Sequence, residues 1–387
     1  MVFTAFASRM PVGMVGLAML MFLRESLGSF SLAGTAVGAY FVAMAVVAPI
    51  LGRLIDRYGP TRLLWCTGPV QPLAMLALLA SAKTGMTFPV VLGCAAMAGI
   101  FQPPITVLTR TLWRHRFDDE PTRKLAFAVD SVMIEFNFTL GPALVALVLA
   151  AAYPTLAFSL VIGVIVAAFA IFMRSPMLKY WKHDPDAERH MLGPLTDLRL
   201  VMLFCTTFGL TFCFGLLEVG YPGYATSLGV AAFGGILLAV NSLGSAAGGA
   251  LYGGLHFKAP LERQFAAALA LMSLPLFLHA AVADYRYVFA VVAFIAGMAI
   301  APALTAQTML VSRIAPEKYA TEAFTWSATF IVSGLGAGMA IGGTLIETLG
   351  VPTTFAIGGA TVLTMALVAL LLPVGSAQRL PSPSASD

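Results

Sequence analysis

Charge is what this chain most lacks. Asp, Glu, Lys and Arg make up 10% of its 387 residues, where roughly 25% is usual for a soluble domain. So few charges cannot wet the exterior of a soluble fold of this size. Soluble enzymes and nucleic-acid binders are thereby excluded as classes. Cysteine is scarce as well: Cys66, Cys94, Cys205 and Cys213 all lie in apolar stretches. A thiol there behaves as a small hydrophobe, and no disulfide framework or metal cage is indicated. The 5 histidines form no ligand spacing, and His279 reads as a packing residue. A phosphate-cradling loop and a catalytic triad are both missing, so the sequence points to no enzyme, no ATP-driven pump and no cofactor. What abounds is apolar sequence, at 59% hydrophobic residues. The composition is that of an all-α, polytopic membrane protein.

A membrane-crossing helix needs about 20 mainly apolar residues. Twelve such runs are present, at roughly 6–26, 32–52, 62–82, 87–111, 125–151, 154–174, 199–223, 230–254, 262–282, 287–311, 322–346 and 352–373. They are continuous rather than alternating, which favours helices over barrel strands. The first apolar run, Met10 to Leu23, is followed by Arg24-Glu25 without a small-residue cleavage site, so it is expected to be retained as a span. Basic residues set the orientation. With the N-terminus in the cytoplasm, Arg24, Lys83 and Arg286 are the only basic residues of the 22 on the outer side. The expected topology therefore has both termini cytoplasmic.

The longest internal polar segment, 176–198, reads as a cytoplasmic linker between a six-helix half at 1–175 and another at 199–374, with Tyr180 and Trp181 as interfacial anchors. The Ser- and Pro-rich residues 375–387 read as a disordered tail. A weak internal repeat supports the two halves. Ala98-Gly99 followed by Pro104 recurs as Ala296-Gly297 followed by Pro302, and Ala126-Phe127 recurs as Ala323-Phe324. Two pseudo-symmetric halves are the pattern of repeat-built transporters.

Between the second and third runs lies Gly52-Arg53-Leu54-Ile55-Asp56-Arg57-Tyr58-Gly59-Pro60-Thr61-Arg62. It resembles the loop signature of the major facilitator superfamily, G-x-L-x-D-R-x-G-R-K, at Gly52, Leu54, Asp56, Arg57 and Gly59, with Arg62 alone for the basic pair. Physically, Gly52 and Gly59 permit a close approach and a tight turn. Asp56 can face the positive end of a neighbouring helix, and Arg57 and Arg62 can hold acidic groups or lipid headgroups. The resemblance implies a latch between the halves on the cytoplasmic face, with Glu322 at the start of the eleventh span as a further member or a simple cap. The phrases around Gln102-Pro103-Pro104, Glu135 and Thr321 to Trp326 look like those of bacterial efflux-type members. Ala95 stands where many exporters carry Arg. Of the antiporter glycines in the fifth span only Gly141-Pro142 is kept; Asn137, Val145 and Ala146 occupy the other positions.

Charges at membrane depth are expensive, roughly 2.5–3.5 kcal/mol at a helix centre, and mark candidate sites. Asp130 and Glu135 share the fifth span but sit about 140° apart around it. Arg9 and Arg110 lie at the depth of Asp130, and one of them is expected to pair with it. Glu135 lies near the midplane without a basic residue at its own depth, which suits a proton carrier. Glu218, among Gly215, Gly220 and Pro222, is placed to bind a cationic group or gate the outer mouth. Gln102, Asn137 and Asn241 lie near their span centres, where they either line a cavity or glue helices together. The sequence thus predicts a secondary transporter in the inner (plasma) membrane, monomeric by family resemblance. It would move a small organic molecule by alternating access, with protons and membrane lipid as its other partners and proton-driven export as the preferred direction. Proton-coupled uptake, or a receptor or scaffold that moves nothing, are the alternatives.

Overall fold

The computed structural model describes residues 2–117, 119–181, 193–255, 257–316 and 320–372. Among the side chains in these segments that lie outside the description are those of Asp56, Arg110, Asp130, Glu135 and Thr321; the tail 375–387 and residues 182–192 of the linker are outside it as well. Fourteen helices account for nearly all of it: α1 (Val2–Leu27), α2 (Phe30–Tyr58), α3 (Pro60–Thr67), α4 (Val70–Lys83), α5 (Phe88–Ile100), α6 (Ile105–Arg116), α7 (Glu120–Ala151), α8 (Pro154–Arg174), α9 (Leu198–Ser227), α10 (Ala232–Gly254), α11 (Leu261–Ala281), α12 (Arg286–Gly297), α13 (Ile300–Ile314) and α14 (Ala320–Leu370). No strand occurs among the described residues.

Ten stretches are long and apolar enough to cross a membrane. Two further crossings complete twelve. One is α7, at 32 residues. The other comes from α14, whose 51 residues would extend about 75 Å at 1.5 Å per residue, far beyond a hydrocarbon core of about 30 Å. It is interrupted at Gly350, with φ 82° and ψ 169°, so two membrane helices follow one another without a loop.

The third, fourth and tenth spans are each broken into two helices, which the apolar runs do not foretell. The breaks fall at Gly68-Pro69, at Phe101 to Pro104 and at Met298-Ala299. Proline lacks the N–H that would continue the ladder, and Pro69, Pro103 and Pro104 supply the reason in the first two cases. The linker starts with a 3-10 turn at Pro176–Tyr180, whose Met177 is buried, and the Arg116 guanidinium lies 5.0 Å over the Tyr180 ring. Asp197 caps α9 through the N–H of Arg199 at 2.9 Å, and the Arg199 side chain hydrogen-bonded to it holds its carboxyl below the usual range.

Alternating chain direction puts the start of α1 and the ends of α2, α8 and α10 on one face, called the N-terminal face below. α1 packs on α2, α7 and α8, and α2 packs on α5. Later in the chain, α14 packs on α9 and α11, and α10 on α12. Two seams join these groups, α2 against α14 and α7 against α10.

Small residues make these contacts possible, as expected where lipid provides no hydrophobic drive between helices. The internal repeat has a structural counterpart here. A side chain at Gly99 would strike the backbone of Tyr40 on α2, and one at Gly297 would strike the backbone of Asn241 on α10. The repeated glycine thus performs the same close crossing in both groups.

Candidate functional site

A cavity of about 280 Å³ lies among α1, α2, α4, α6, α7, α8 and the start of α14. Its walls are Ser8 to Val12 on α1, Met44 to Leu51 on α2, Ile105 to Val107 on α6, Ile165 to Phe169 on α8, and Ala328, Thr329 and Val332 on α14. All of these sit in the half of the bundle nearer the N-terminal face. Val107 and Phe138 among the lining residues are 54% and 44% exposed.

Its polar groups form two sets. In the first, Gln102 sits in the proline break between α5 and α6. Its Oε1 accepts from the Tyr40 hydroxyl at 2.8 Å and from the Gln71 amide, and both donors are buried. In the second, Arg9 is 2% exposed and donates from Nη2 to the Thr106 carbonyl at 3.4 Å. Asn137 on α7 is 3% exposed, and neither atom of its amide has a hydrogen-bond partner among the described residues. The rest of the wall is mainly apolar.

The opposite end is shut. Gly34, Gly38 and Gly343 bring α2 and α14 into backbone contact: a Cβ on any of them would strike the other helix's backbone. At the rim, the Glu347 carboxylate of α14 accepts from the Phe30 backbone N–H and the Ser29 hydroxyl at 3.0 Å. The Ser31 and Thr344 hydroxyls are bonded at 2.8 Å beside it. Glu347 therefore caps α2 from across the seam, where the first N–H groups of a helix lack partners and attract negative charge. Glu347→Ala is expected to cost the closed end about 0.5–1 kcal/mol, the low end for a lost cap because the group is exposed. A Thr35→Cys reporter on the seam should then label faster; an unchanged rate would reduce Glu347 to a surface acid.

A family model for the Major Facilitator Superfamily matches residues 1–330 and 203–387, which together span the chain. The chain belongs to this superfamily. It is accordingly a secondary transporter of polytopic membrane type and not an enzyme. Among solved structures, it is similar to the nucleoside transporter NupG in a mutant form, at 10% identity and TM-score 0.75, covering 96% of this chain and 98% of that one. Another NupG structure matches at 10% identity and TM-score 0.72, with 96% and 97% covered. At this identity the likeness concerns the fold. No curated protein matches the chain.

Within this superfamily member, Gln102, Asn137 and Arg9 all line the cavity. Asn241 does not. Its amide donates to the Ala293 carbonyl at 2.9 Å and to the Tyr221 hydroxyl at 3.4 Å, so of the two roles open to it, holding helices together is the one it has. Glu218 lies half-buried on α9, away from the cavity, and has no hydrogen bond or ion pair among the described residues. Glu322 is in the first turn of α14. Gly59 has φ 81° and ends α2, donating to the Ile55 carbonyl at 2.7 Å. Gly52 corrects the expectation of a close approach: it is helical, and open space surrounds it. Arg57 and Arg62 are exposed, the former 5.3 Å over the Tyr58 ring. The proposed partners Asp130 and Arg110, the carrier Glu135 and the latch Asp56 fall among the side chains outside the description.

Three working residues escape a reading of the sequence. Gln71 and Tyr40 look like ordinary polar or aromatic members of apolar runs, although the Pro-flanked Gln71 at membrane depth was a usable sign. Glu347 reads as an acid at a helix end, and its partner is 317 positions away in the chain.

Proposed function

We propose that this protein exports a small organic molecule from the cytoplasm across the inner membrane, coupled to proton entry, by alternating access of two halves, 1–175 and 199–374. The observation that carries the reading is a cavity in the half of the bundle nearer the N-terminal face, with α2 and α14 in backbone contact toward the opposite end. With both termini cytoplasmic, as the basic residues favour, this is the inward-facing state. A released latch then accounts for Gly52 standing clear of its surroundings. Export is preferred on the efflux-type phrases around Gln102 and Thr321 to Trp326. Uptake by proton symport is the second reading, which the same intramembrane carboxylates would serve.

Flux in proteoliposomes with and without a pH gradient decides between the two. Exchange against protons supports export, movement with protons supports uptake, and no flux leaves a receptor or scaffold. In the same vesicles Glu135→Gln is expected to retain gradient-free exchange and to lose gradient-driven accumulation, because the amide mimics a permanently protonated acid. Normal gradient-driven flux in that variant would remove Glu135 as the carrier and turn attention to Glu218.

A further inference from the structure

Asn137 is the one side chain in the cavity wall that is buried with its whole amide unpartnered among the described residues. Such groups are rare in folded proteins, since burial removes water without replacing its hydrogen bonds. The neighbouring amides do not share this condition: Gln102 Oε1 is already occupied by Tyr40 and Gln71. Nor does α1 offer Asn137 a partner. Gly13 packs against its backbone carbonyl, leaving no room there for a side chain.

We propose that the Asn137 amide reads substrates that carry a hydrogen-bond donor next to an acceptor on one edge of a compact, uncharged, largely apolar body. A primary carboxamide, a lactam or a nucleobase edge has this chemistry. An asparagine amide presents an acceptor oxygen beside a donor NH₂ in one plane, and its complement is a planar donor–acceptor edge, the arrangement by which asparagine reads adenine. Exchanging the amide oxygen and nitrogen leaves a donor beside an acceptor, so the inference does not depend on that assignment. Val12, Phe138, Ile165 and Val332 supply apolar surface elsewhere in the cavity wall. A volume of about 280 Å³ is at the small end for ligand pockets, and favours one or two fused rings over an extended molecule. The inference rests on the transport reading for the use of the cavity, but binding can be tested separately.

The test uses purified full-length protein and probe pairs in which methyl groups replace the N–H hydrogens: 2-pyridone against N-methyl-2-pyridone, and benzamide against N,N-dimethylbenzamide. Calorimetry and thermal-shift titration are expected to show the N–H members binding about tenfold or more tightly than the methylated ones, because the methylated edge leaves the Asn137 oxygen unpaired. In Asn137→Leu the preference should vanish while the thermal midpoint stays level or rises, since an apolar group of similar size replaces an unpaired amide. Asn137→Ala serves the same comparison if the Leu variant does not fold. Wild-type protein that binds none of the probes, or binds both members of each pair alike, overturns the proposal, as does a preference that survives in both variants. Discriminating binding without flux in vesicles would leave the recognition intact and defeat the transport reading instead. Protein-dependent flux of a membrane-impermeant solute that lacks such an edge, with no discrimination between pair members, would do the reverse.

Discussion

Gly38→Leu is expected to prise α2 from α14 and move the protein toward its opposite-facing state by about 5- to 150-fold. A Cβ at Gly38 would stand 2.5 Å from the Gly336 carbonyl oxygen and 2.7 Å from the Ala340 Cβ. Backbone cannot rotate out of the way as a flexible side chain can. The helices must separate, and overpacking of this kind costs about 1–3 kcal/mol. At 1.4 kcal/mol per tenfold that penalty falls on the closed seam alone, so the equilibrium shifts to the state in which the seam is parted. Labelling of a Thr35→Cys reporter, in protein whose exposed Cys66 and Cys205 are replaced by Ser, measures the change. Gly163→Leu on α8 is the control, because open space surrounds that position. Equal labelling in wild type and Gly38→Leu, with equal thermal midpoints, would mean that the seam carries no conformational energy.

Gln102→Leu should be the most destabilising single change in the cavity wall. One oxygen satisfies two buried donors, the Tyr40 hydroxyl and the Gln71 amide. Its loss strands both, and each stranded donor costs about 1–3 kcal/mol. Hydrogen bonds between membrane helices average nearer 0.6 kcal/mol when measured by double-mutant cycles, so about 2–4 kcal/mol for the pair is the expected range. The triple change Tyr40→Phe, Gln71→Leu, Gln102→Leu should recover much of the lost thermal midpoint, since no donor is then stranded. Gln102→Glu, which keeps an acceptor, should lie between. A triple variant no more stable than the single one would show that the side-chain volume of Gln102 mattered and its hydrogen bonds did not.

The helices were legible because apolar length is a local property. The eighth helix runs Pro154–Arg174, as its run and its flanking Pro154 and Arg174 indicate. Breaks inside spans were not legible from hydropathy, since Pro103 and Pro104 look apolar and yet withhold the N–H groups that a helix needs. Depth was legible at Gln102, Asn137 and Asn241 alike, but facing was not. Rotation about a helix axis is set by which neighbour comes closest, and for Asn241 that neighbour is the segment around Gly297, packed on its own carbonyl. The family loop was plain at Asp56 and Arg57, while Glu347, at the far rim, had no local signature at all. A carboxylate that caps another helix in trans can be recognised only once both helices are placed.

The joint at Gly350 gives the closed rim a mechanical reach beyond its own hydrogen bonds. One residue spans at most about 3.8 Å between successive Cα atoms, so there is almost no slack between the two parts of α14. Glu347 sits three positions before this joint and Phe355 five after it. Phe355 stacks on His279 at 4.6 Å and meets Phe289 edge-on at 5.4 Å. A tug on Glu347 is thus geared directly to the aromatic cluster of α11 and α12, and opening the rim must also turn those rings.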